Sequence, residues 1–96
     1  MIGTKSPEET KDYSFDWSKD IGIDVIPNAL DSVWSVAPAS MTIEQSSLAT
    51  NGTLTTVWLM GGVTGEIYHV KNTITTTAGR VLSKVFRVLV VAENFL

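Results

Sequence analysis

The sequence predicts an all-β fold, an immunoglobulin-like β-sandwich of about seven short antiparallel strands with an extended N-terminal arm, a small Greek-key barrel being the alternative. Three observations carry this. Thr and Ser are abundant, 12 and 9 of 96 residues, and threonine is β-branched and suits a half-exposed pleated surface. Apolar residues recur with period two in successive short segments, whereas an amphipathic helix would need a period near 3.6. Turn-forming Pro, Gly and Asn separate these segments every 8 to 12 residues or so. The length allows one domain. Its expected divisions are an arm over 1–11, a sandwich over 12–92 and a tail over 93–96.

The arm opens with Ser6, Pro7, Glu8 and Glu9. Ser6 fits a helix N-cap, Pro7 the first helical position, and Glu9 the residue that reaches back to the cap amide. No apolar period follows, so at most one helical turn is expected there. From Asp12 the chain alternates, with Tyr13, Phe15 and Trp17 on one side and Ser14, Asp16 and Ser18 on the other. Asp20 to Gly22 breaks that strand. Ile21, Ile23 and Val25 alternate again and predict a short strand near a sheet edge, ended by Pro27-Asn28. In the next segment Trp34 and Val36 form the better inward set, and Pro38 stops it. Trp34 takes the place of the lone core tryptophan of a sandwich. Met41, Ile43 and Gln45 make a further alternation.

Asn51-Gly52 predicts a two-residue type I′ hairpin turn, since both residues tolerate positive φ, with a longer loop as the alternative because residues 46–50 are mostly polar. The strand after it runs from Thr53 to Met60, with Val57 and Leu59 in phase. Gly61, Gly62 and Gly65 mark a connection. The longest run then places Tyr68, Val70, Asn72, Ile74 and Thr76 inward and His69 outward. Gly65-x-x-Tyr68 opens this run where a tyrosine corner belongs. Ala78-Gly79 turns the chain into a last strand, Val81 to Val91. Both phases of that strand are apolar near its end, which predicts cover on both faces.

Composition narrows function by exclusion. The net charge is −3 and the pI near 4.9, so no basic face for nucleic acid is expected. The chain has no Cys and one His, which removes thiol chemistry, disulfides and clusters of several His ligands. No apolar run approaches the ~18 residues of a membrane helix, and the opening stretch does not resemble a secretory leader. Asp12, Asp16, Asp20 and Asp24 lack the alternating spacing of a calcium loop and read as a solvated acidic surface. His69 has no nucleophile or orienting acid in its motif, and no G-x-S-x-G occurs. No cofactor, metal or enzymatic activity is expected.

Charge is unevenly spread. Residues 1–31 hold seven acids and three bases, whereas residues 32–96 hold three acids and four bases. Copies meeting head to tail would bring unlike ends together. Tyr13, Phe15, Trp17, Trp34 and Trp58 could build a core or a flat platform for sugar rings. Phe15 and Trp17 are candidate anchors where arm meets domain. Phe95 and Leu96 are candidate anchors after a polar Glu93-Asn94 spacer.

Several motifs together resemble a known family. These are K-S-P-E-E-T-K-D-Y-S-F-D-W-S (5–18), S-V-W-S-V (32–36), T-T-V-W-L-M-G-G (55–62) and G-E-I-Y-H-V-K-N-T-I-T-T-T-A-G-R (65–80). They are similar to the small fibre-tail adaptor proteins of tailed bacteriophages, over roughly residues 5–91. The Ile21–Leu30 stretch and the closing V-A-E-N-F-L depart from the pattern.

The resemblance implies a non-enzymatic virion protein with an immunoglobulin-like fold. It would be present in several copies in a ring-like assembly on the phage tail and be assembled in the host bacterial cytoplasm. Its partners would be the tail tube or a neighbouring adaptor, and the tail fibre, with no nucleic acid and no membrane. The residues expected to meet partners are Lys5, Pro7, Tyr13, Phe15, Trp17 and Arg80 in the shared motifs, with Phe95 and Leu96 in the tail. Under that reading the arm orders only against a neighbour. A capsid decoration protein and a carbohydrate-binding module remain open alternatives.

Overall fold

The strands of the computed structural model, which describes residues 2–92, are β1 (Ile2–Lys5), β2 (Thr10–Asp16), β3 (Ser32–Ala37), β4 (Met41–Leu48), β5 (Leu54–Gly61), β6 (Ile67–Thr75) and β7 (Val81–Val90). They form a four-stranded sheet, order β1-β7-β6-β3, and a three-stranded sheet, order β2-β5-β4. Every pairing is antiparallel except β1 with β7, which is parallel. The all-β sandwich that the period-two pattern predicts is therefore present. Among the described residues no helix is long and apolar enough to cross a membrane.

Alternation places the core. Tyr68, Val70, Asn72, Ile74 and Thr76 are all buried, while His69 and Lys71 between them are exposed. Thr55, Val57 and Leu59 of β5 and Phe86, Val88 and Val90 of β7 fill the same layer. Along the outward phase of β7, Val81 and Val85 are 65% and 55% exposed, whereas Leu89 and Val91 near its end are half-buried, so cover on the outer face is partial and confined to that end. Tyr68, buried near the start of β6, has its hydroxyl accepting from the Val63 amide at 2.8 Å and bonding with Ser40 Oγ.

Four local expectations need correction. Residues 2–5, read as arm, are an edge strand of this chain's own sheet, and Lys5 is buried. The strand expected over Ile21–Val25 is replaced by a helical turn, α1 (Ser18–Ile21), and a loop. The side chains Ile21 and Ile26, at 2% exposure each, plug the end of the core while Ile23 stands fully in solvent. Asp16 Oδ1 starts this turn by accepting from the Ser18 amide at 3.0 Å.

The hairpin at Asn51-Gly52 is not type I′, because among the described residues only glycines have positive φ. Asn51 instead accepts from the Thr53 amide through Oδ1, and the Gly52 amide bonds back to Ala49 O. Gly52 (φ 72°) is needed for a tertiary reason. Its carbonyl accepts from the Ile26 amide, and a Cβ there would lie 2.9 Å from Val25 Cβ. Finally, the fully buried tryptophan is Trp17, whereas Trp34 is only half-buried. In β4 a register shift between Ile43 and Gln45 moves the half-buried phase from Ile43 to Leu48, as a bulge does.

Candidate functional site

The aromatic side chains converge inside the sandwich. Phe15 sits at their centre, stacked on Trp34 (5.8 Å, 8°) and edge-on to Trp17 and Phe86. Tyr13 packs on Phe86 at 5.0 Å. These rings account for much of the core, so they do not form an exposed sugar platform. Among the described tryptophans, Trp58, half-buried on the outer face of β5, lies outside the cluster.

Beneath the rings lies a buried polar network that periodicity alone did not single out. Asn72 Oδ1 accepts from Thr55 Oγ1 (2.7 Å) and Trp17 Nε1 (3.2 Å), and Trp17 Nε1 also reaches Thr55 Oγ1 (3.1 Å). Asn72 Nδ2 donates to Ser32 Oγ (3.0 Å) and Val33 O (3.2 Å). The network ties both sheets to the end of β2. A polar residue in the inward phase of an otherwise apolar strand was the available signal.

The residues expected to meet partners divide by burial. Lys5, Phe15 and Trp17 are interior. Lys5 Nζ donates to Ser6 O and Gly61 O, both at 2.8 Å. Burial pushes its pKa down, partly opposed by Glu9. Tyr13 is half-buried with its hydroxyl donating to Thr4 O at 3.1 Å. Desolvation first, then the charges of Glu9 and Asp12, push its pKa up to about 12. Pro7 lies in the turn between β1 and β2, where Glu9 Oε1 accepts from the Ser6 amide at 2.7 Å, the reach-back its spacing predicts. That amide holds Glu9 below the usual carboxylate range. Arg80 is exposed at the β6–β7 turn. Phe95 and Leu96 lie outside the described residues.

The exposed surface of the described residues includes one interlocked pole and the two outer sheet faces. At one pole the β2–β3, β4–β5 and β6–β7 connections are hydrogen-bonded together: Trp17 N to Thr53 O, Ile26 N to Gly52 O and Thr77 N to Val25 O, all at 2.8–2.9 Å. Asp24 Oδ1 joins them by accepting from the Val25 and Ala78 amides. The Thr76 hydroxyl beside it, foremost, and those amides lower its pKa. Ile23 and Leu30, 105% and 90% exposed, project from this pole. Lys84 closes the pole beside them, bridging to Asp20 at 2.6 Å with Nζ 4.7 Å from the Trp17 ring centroid, a cation–π contact.

Register places Ser35, Lys71 and Val85 in one row and Ala37, His69 and Arg87 in the next, on the outer face of β3-β6-β7. Asp12, Trp58 and Gln45 share a row on the outer face of β2-β5-β4, with Asp16 further along β2 and exposed Glu44 at the bulge. Among the described strand residues, the outward charged side chains of the first face are Lys71 and Arg87, and those of the second are acidic. The two outer faces therefore differ in the sign of their charge.

Two comparisons with known proteins bear on this geometry. The family model described as Podophage GP4 fiber-tail adaptor protein gp77 matches residues 5–89, which takes in nearly every described strand. No curated protein matches the chain.

Proposed function

The chain belongs to the podophage fibre-tail adaptor family, and from that premise we propose that it is a non-enzymatic subunit linking tail fibres to the tail by protein–protein contacts. The family match across residues 5–89 carries this reading. Its partners are the tail tube or an adjoining adaptor on one side and the fibre on the other. It acts in several copies arranged as a ring, and it is assembled in the host bacterial cytoplasm. The sandwich is of immunoglobulin type: β2-β5-β4 faces β3-β6-β7, the arrangement expected of such a domain, with β1 added at the β7 edge.

The geometry supports a docking role without chemistry. The displaced carboxylates Glu9, Asp16 and Asp24 are engaged chiefly by hydrogen-bonding groups of the loops around them, so their shifts belong to loop structure. The interlocked pole holds Ile23 and Leu30 in solvent on loops that are braced against one another, a place for partner contact. Phe15 and Trp17 serve the fold, and Pro7, Tyr13 and Arg80 remain the candidates near the surface.

Immunogold electron microscopy on purified particles, with antibody to this chain, tests the reading. Label at the fibre attachment region of the tail is expected. Label over the head would replace it with capsid decoration, and absence from particles would reject a virion role.

A further inference from the structure

We propose that successive copies of this chain meet sheet face to sheet face, the basic outer face of β3-β6-β7 in one copy seated on the acidic outer face of β2-β5-β4 in the next. The inference rests on the reading that the chain works in several copies, and it names the surfaces used. Each face pairs an apolar side chain with charge of one sign. On the first, Val85 lies beside Lys71 and two residues from Arg87, and it is 55% exposed. On the second, Trp58 lies beside Asp12, with Met60 38% exposed further along the strand.

A pairing of like faces would set Lys71 and Arg87 against themselves, or Asp12 and Asp16 against themselves, which is unfavourable. Unlike faces satisfy both charge sets and cover Val85 and Trp58 together, giving an apolar centre with a charged surround. Such a contact is heterologous. Each copy offers one face of each kind, so the contact repeats and closes into a ring if the rotation per copy divides a full turn.

Sedimentation velocity on the chain and two charge-reversed forms tests this. The wild type should form larger species as concentration rises, and less so at high salt. Asp12→Lys with Asp16→Lys, and separately Lys71→Glu with Arg87→Glu, should each weaken self-association by about tenfold or more. Mixing the two forms should restore association, because one then has two basic faces and the other two acidic ones.

A wild type that stays monomeric overturns the proposal. So do variants that associate like the wild type, or a mixture that does not recover while each form keeps the wild-type circular dichroism. If reversal disturbs folding, Asp12→Asn and Lys71→Gln must show the same ordering at smaller amplitude. Tail labelling with unaffected self-association in the variants would keep the adaptor reading and remove this one. Absent labelling would remove the adaptor reading and leave the face contact to sedimentation.

Discussion

Replacing Asn72 with leucine should be among the most damaging single changes this fold can suffer without losing core volume. The substitution deletes four hydrogen bonds, from Trp17 Nε1 and Thr55 Oγ1 and to Ser32 Oγ and Val33 O. At about 0.5–1.5 kcal/mol each the bonds are worth roughly 2–6 kcal/mol. The buried Thr55 hydroxyl, left without its acceptor, adds about 1–3 kcal/mol. Burying leucine returns about 1.5–3 kcal/mol. Trp17 Nε1 keeps Thr55 Oγ1 at 3.1 Å and contributes little further loss. The midpoints of these contributions leave a destabilisation of about 3–4 kcal/mol, a fall in Tm of some 12–32 °C at about 4–8 °C per kcal/mol.

Urea unfolding followed by tryptophan fluorescence measures that loss. Thr55→Val, and the double variant, complete the cycle. Thr55→Val removes the hydroxyl that Asn72→Leu strands, and the bond the two share is lost once instead of twice. Against this, only the double variant takes both acceptors from Trp17 Nε1, and the balance should leave the double variant below the sum of the singles by more than about 0.5 kcal/mol. A loss under about 1 kcal/mol for Asn72→Leu, or additivity within that margin, would refute the claim that this network holds the sheets together.

Trp17→Ala should cost about 3–5 kcal/mol, read by the same urea titration; unchanged melting would remove Trp17 from the core. Gly62→Ala should cost about 1–3 kcal/mol by backbone strain, with crowding added, since φ is 100° and the new Cβ would meet Val90 Cγ2 at 2.8 Å; an unchanged urea midpoint would contradict it. Tyr13 has a folded-state pKa raised to about 12. Stability from its neutral phenol is therefore fully present below the ordinary value near 10 and lost as pH rises through about 12. Urea midpoints should fall less steeply across that window in Tyr13→Phe than in the wild type, and identical slopes would rule Tyr13 out as the cause.

What the sequence made legible follows from where the determinants lie. β6 was readable residue by residue because strict alternation is a local property, and Tyr68, Val70, Asn72, Ile74 and Thr76 are buried as that alternation requires. β1 was not. Ile2-Gly3-Thr4-Lys5 has no period, its partner is β7 at the far end of the chain, and a buried lysine runs against composition rules. The Ile21–Val25 alternation misled because Ile21 at the end of α1 and Ile26 in the loop after it cap the core, in a segment held by bonds from Ile26 N to Gly52 O and from Thr77 N to Val25 O. The outward placement of His69 was visible. The opposed charge of the two faces was not, because it needs the register that sets Lys71 beside Val85 and Asp12 beside Trp58.

The parallel pairing of β1 with β7 also has a mechanical consequence. Ile2 to Lys5 runs alongside Arg87 to Val90 in the same direction, and the Val91 amide adds a bond to Lys5 O at 2.8 Å. Tension applied between the first and last strands slides these two past each other along their length. The bonds between them then carry load together, unlike those of a hairpin peeled from one end, which break in succession. Force transmitted through the ends of this domain would meet a shear joint before it reached the core.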